Sequence, residues 1–117
     1  MDQVSADSAV IDFEHLSRQS FSDSILERDL LELFARQCGA LLPAIAGANP
    51  LDERLIAAHT LKGSARAVGA WTLATHVERV EALLNAGSAD SASHLMGELA
   101  DVVRAAQAAA VRRRAAG

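Results

Sequence analysis

Within one segment of the chain His59, Lys62, Gly63 and Arg66 each lie three or four residues from another of the set. At roughly 100° per residue, a helix over this segment gathers all four on one side. Ala57, Leu61, Ala65 and Val68 fall on the opposite side, where they can face a core. The apolar pattern itself therefore turns His59 outward. An imidazole with an unperturbed pKa of about 6.5 is largely uncharged and nucleophilic near neutral pH. It can attack a phosphoryl group and hold it as a phosphoramidate. Such a product is anionic and calls for a cation. Lys62, the only lysine in the chain, is a flexible point charge one turn away. Gly63 has no side chain, so a second protein can come close to the imidazole. Leu55, one turn before His59, lies off the core stripe and offers an apolar docking surface. Ser64 projects to the side.

The elements that must position these groups read as helices. Ser22 or Asp23 can accept hydrogen bonds from free backbone N–H groups and start the first long one. Ile25, Leu26, Leu30, Leu33 and Phe34 then recur at helical spacing, continued by Leu41 and Ile45. Pro43 is expected to kink this helix. Gly47–Pro50 ends it, with Asn49 as the next N-cap and Pro50 as the first helical residue. The second long helix is predicted over Leu51–Val68, closed by Gly69 in the left-handed region. The third runs from Trp71 or Thr72 to Ala86, with Leu73, Val77, Val80 and Leu84 on one stripe. Residues 88–91 cap a fourth, which points Leu95, Leu99, Val102 or Val103, and Ala106 inward. Gly97 inside it costs about 1 kcal/mol relative to Ala. Asp12 can cap a short helix ahead of these, with Phe13 and Leu16 on one side.

Short connections imply antiparallel neighbours. The expected fold is all-α, an up-down-up-down four-helix bundle with a short additional N-terminal helix. Residues 1–10 read as a flexible arm, 11–111 as the bundle, and 112–117 as a basic, Ala-containing tail with solvated charges.

Composition narrows the function classes. Half of the 117 residues are hydrophobic and only 3% are aromatic, which favours helices over sheets. A net charge of −4 argues against nucleic acid as the partner, because phosphate backbones need a positive excess. The single Cys38 excludes an intramolecular disulfide and reads as a small core residue. His15, His76 and His94 have no ligands at metal-binding spacing. No apolar run reaches the roughly 18 residues of a membrane helix. The polar, acidic start is unlike a secretory signal. A cytoplasmic chain that touches no membrane is expected.

The string His59-Thr60-Leu61-Lys62-Gly63-Ser64-Ala65, followed by Gly69 and by Val80-Glu81, resembles the histidine phosphotransfer (HPt) domain of bacterial phosphorelays. The resemblance spans about Ile11 to Val103 and includes Phe34 of the preceding helix. It implies a four-helix bundle whose histidine shuttles a phosphoryl group between receiver-domain aspartates. By that likeness His59 is the phosphorylated residue, Lys62 its charge partner and Gly63 the access position. Glu81 falls where the family places Gln or Glu, and is expected to orient the unphosphorylated ring. Arg66 and Ala67 depart from the small or amide residues of many members, and Arg66 is expected to touch partners. The partners implied are receiver domains of response regulators and of a hybrid histidine kinase. These would bring the aspartate and its Mg²⁺, and the chain would need no cofactor of its own.

Thr60 stands where a kinase dimerisation helix has an acidic residue, and no Gly-rich phosphate loop is present. ATP-dependent kinase activity is therefore not expected, and the expected state is a monomer. Two rival readings use the same residues. One is a non-catalytic bundle that sequesters receiver domains. The other is half of a dimeric, kinase-like hairpin in which two chains complete the bundle.

Overall fold

A computed structural model describes residues 3–116. Six helices account for most of them: α1 (Gln3–Val10), α2 (Phe13–Gln19), α3 (Ser24–Ala46), α4 (Leu51–Val68), α5 (Trp71–Asn85) and α6 (Ala89–Ala116). Among the described residues there is no strand. The four long helices form a ring. α3 packs on α4 and α6, and α5 packs on the same two. All four come from one chain, so the core closes without a second copy. It is built from Leu31, Phe34 and Cys38 of α3, Leu61 and Ala65 of α4, Val77 and Val80 of α5, and Leu99 and Val103 of α6, all buried.

Local chemistry sets most boundaries. Asp23 caps α3, its Oδ1 accepting from the N–H groups of Ile25 at 2.9 Å and Leu26 at 3.2 Å. α3 runs through Pro43 as far as Ala46. The junction into α4 differs from the expectation, because the N-cap is Pro50 and helix begins at Leu51. Asn49 instead donates its Nδ2 to the Ala44 carbonyl at 3.0 Å. Arg54 Nε donates to Ile45 O at 2.7 Å. Both side chains serve carbonyls that the end of α3 leaves without helical partners, which is why Asn49 does not cap α4.

Gly69 closes α4 in the left-handed region, with φ +80°. A Cβ there would lie 2.9 Å from Asp12 Cβ and from the Asp12 carbonyl, so glycine is required by contact as well as by conformation. Asp12 ties this corner down from the front of the chain. Its N–H donates to Gly69 O at 2.9 Å, and its side chain accepts from His15 N and from Trp71 Nε1. His15 Nε2–H donates to Arg66 O at 3.0 Å. Trp71, at the junction of α4 and α5, is 45% exposed and meets the His15 ring edge-on.

The two ends of the chain differ from the expected arm and tail. The segment read as a loose arm is helical over Gln3–Val10, and the basic tail continues α6 to Ala116. Met1, Asp2 and Gly117 lie outside the described residues. Each arginine of the tail has a partner on an earlier helix. Arg112 makes a two-pronged contact with the buried Asp7 at 2.7 and 2.9 Å. Arg113 lies 3.4 Å from Glu27 and over the Phe13 ring, and Arg114 lies 3.6 Å from Glu32. Eight residues are too few for a stable isolated helix, so α1 depends on this packing.

Candidate functional site

Val68, Leu61 and Ala65 pull α4 onto the core and leave its far side in solvent. His59 stands on that outer side, with its side chain 77% exposed. One turn on, Lys62 leans across to α5 rather than out to water. Its Nζ is 2.7 Å from Glu81 Oε1, and the two side chains are only 14% and 17% exposed. The other carboxylate oxygen of Glu81 lies 3.8 Å from His59 Nδ1. One carboxylate therefore faces both the imidazole and the ammonium. Glu81 is held there by its neighbours Val77, Val80 and Leu84, which bury the inner face of α5.

This geometry has a chemical consequence. A carboxylate beside Nδ1 favours the tautomer that carries its proton on that nitrogen. Nε2 then holds the lone pair. Among the described residues Nε2 has no hydrogen-bond partner, so it is free to act as a nucleophile. The ammonium of Lys62 sits on the other oxygen of the same carboxylate, so the ring and the cation share Glu81.

Gly63 lies on the exposed surface, and a Cβ there would meet no atom within 4 Å. Close helix packing therefore does not explain this glycine. Arg66 is two turns beyond His59 on the same side of α4 and pairs with Glu78 of α5 at 2.8 Å. Leu55 is half-buried. It lines a shallow open depression with Ile56, His59, Thr60, Glu81 and Asn85. The structure thus brings His59, Lys62 and Glu81 into one cluster. Leu55 lies at its edge, Gly63 beside it, and Arg66 farther along.

Three residues here escaped the sequence reading. Ile56 is 65% exposed beside His59. Its signal was present, since an isoleucine off the 57–61–65–68 stripe has no core to enter. Asn85 lies one turn after Glu81 and could have been placed by spacing alone. Gln37 carried no signal. It accepts from Ser64 Oγ at 2.6 Å and ties α3 to α4 near the site. The two flanks of His59 consequently differ. The α5 flank carries charge, in Glu81, Lys62 and the Arg66–Glu78 pair. The α3 flank offers Ile56, Thr60 and Gln37, none of them charged.

Residues 29–109, more than two thirds of the chain, match the family model described as the Hpt domain. The chain belongs to the Hpt domain family. Hpt domains serve histidine phosphotransfer in phosphorelays and interact with receiver domains. The match begins inside α3 and ends inside α6, so α1 and α2 lie ahead of the matched stretch. Neither a curated protein nor a solved structure matches this Hpt chain. No described helix is long and apolar enough to cross a membrane. Among the described residues no group of three His, Cys, Asp or Glu side chains could hold a metal ion.

Proposed function

We propose that this Hpt domain takes a phosphoryl group from a receiver-domain aspartate onto Nε2 of His59 and passes it to the aspartate of another receiver. In the forward step the N–P bond forms as the bond between phosphorus and the aspartyl oxygen breaks, and the return step reverses it. Glu81 keeps the Nδ1 proton in place, so the lone pair points at phosphorus. Lys62 supplies the nearby positive charge for the anion. The receiver brings Mg²⁺ and the aspartate, and this chain brings the nucleophile on a rigid helix. Gly63 leaves room for the receiver, and Leu55 with Ile56 gives it an apolar footing. Arg66 contributes to the choice of partner.

The donor is the receiver of a hybrid histidine kinase, and the recipient is the receiver of a response regulator. The exchange takes place in the cytoplasm and needs one copy of the chain. The ring of four helices and their short connections support an antiparallel up-down-up-down order, with helix added at the front.

The observation that carries this reading is the exposed His59 ring set beside a carboxylate that also holds Lys62. The deciding experiment incubates the chain with a labelled, phosphorylated receiver and follows acid-labile label on it. Label should appear on the wild type and be absent from His59→Gln. Equal labelling of the variant would remove His59 from the role.

A further inference from the structure

The outward side of α3 carries a pattern that the cluster of His59, Lys62 and Glu81 does not include. At roughly 100° per residue, Ile25, Leu26, Asp29, Leu33, Arg36 and Ala40 form one ridge opposite the buried Leu31, Phe34 and Cys38. Every residue of this ridge is exposed. Ile25 is 69% and Leu33 47% exposed, both large apolar side chains with nothing over them. Among the described residues Asp29 and Arg36 make no ion pair and no side-chain hydrogen bond. The nearby Glu32 is engaged with Arg114 on the α6 side.

The order of these residues is self-complementary. Asp29 and Arg36 stand one on each side of Leu33, seven positions and about 10 Å apart. The large Leu26 and the small Ala40 are likewise placed evenly about Leu33. Two such ridges laid antiparallel about a two-fold axis at Leu33 bring Asp29 of each copy to within one residue's rise, about 1.5 Å along the helix, of the level of Arg36 of the other, an offset the long arginine side chain spans. The same axis sets each Leu26 against an Ala40 and packs Leu33 on Leu33. A two-fold contact requires one patch to complement itself, and this ridge does so in both charge and size.

We infer that this α3 ridge is a self-association surface whose occupant is the same ridge of a second copy. The inference goes beyond the phosphotransfer reading and does not rest on it. One helix face buries less than a standard interface, so the association is weak, with a Kd between about 10 µM and 1 mM. It weakens as salt screens the two exposed charge pairs.

The test is sedimentation equilibrium of the whole chain over a range of concentrations, with far-UV circular dichroism confirming that every variant is folded. The wild type should show reversible dimer formation. Asp29→Arg alone and Arg36→Asp alone should each bind themselves at least tenfold more weakly, because like charges then face each other. An equimolar mixture of the two single variants should regain wild-type association, since every cross pair is again opposite in sign. A wild type that stays monomeric to about 1 mM overturns the proposal and leaves the ridge to a partner of another sequence. Single variants that associate as the wild type does, or a mixture that fails to recover, also overturn it.

Discussion

Lys62 and Glu81 are joined at 2.7 Å across the seam between α4 and α5, in a setting where neither side chain is more than 17% exposed. The pair fixes where the ammonium sits and which edge of the His59 ring meets a carboxylate.

Removing Lys62 should therefore do two separable things. Lys62→Ala leaves Glu81 largely buried without its partner, which costs about 1–3 kcal/mol of stability. Urea unfolding would read this directly. The Lys62→Ala, Glu81→Ala double variant should lose less than the two single losses added together, because the partners interact. Phosphoryl transfer to His59 should slow in Lys62→Ala by about tenfold, a loss of roughly 1.4 kcal/mol in the barrier. Strict additivity in the cycle would show that the contact contributes nothing.

Gly63 separates docking from folding. Gly63→Ala should raise stability by up to about 1 kcal/mol, since the helix gains propensity and the methyl group enters open space. Gly63→Gln should fold equally well yet lose most of its transfer rate, because a long side chain would stand where the receiver approaches. Thermal melts and labelling kinetics on the same samples distinguish the two effects. Unimpaired transfer by the Gln variant would refute the access role.

Asp12 makes the α4–α5 corner sensitive to acid. Its carboxyl is held below the ordinary value of 3.8, chiefly by the His15 backbone N–H and then by the Trp71 indole N–H. A depressed carboxyl stabilises the fold fully above its unfolded value and loses that effect as pH falls through the folded one. Trp71 fluorescence should report loosening of this corner only in that acid range. Asp12→Asn should remove that step. Gly69→Ala should loosen the same corner at every pH, by about 1–3 kcal/mol, through its strained backbone.

Cys38 is a built-in reporter of global opening. Burial pushes its thiol up to about 12, and its side chain lies in the core. A thiol reagent at neutral pH should modify the native chain only at the rate of unfolding. Fast labelling of folded protein would show that the bundle opens locally along α3.

Much of the architecture was legible in the sequence because it rests on local rules. Asp23 and Gly69 announced helix ends through their own chemistry, and the 57–61–65–68 stripe turned His59 outward. What was missed depends on residues far apart in the chain. The arginines at 112–114 read as solvated because Asp7, Glu27 and Glu32, their partners, lie at least 80 positions earlier. Asn49 and Pro50 carried the right types for a cap. The spare carbonyls of α3 then claimed the asparagine, which no local pattern foretells. Lys62 was placed on the His59 side by its position on the wheel, and its reach to Glu81 follows from a flexible stem meeting a neighbouring helix.

The contact between Asp7 and Arg112 brings together two points 105 residues apart. A covalent bridge of a few residues could therefore replace it, with new termini cut into the exposed connection at 48–50. Such a circular permutant keeps α4 and α5 contiguous, and with them His59, Lys62 and Glu81. The order in which the chain is threaded can change while the face that carries His59 stays as it is.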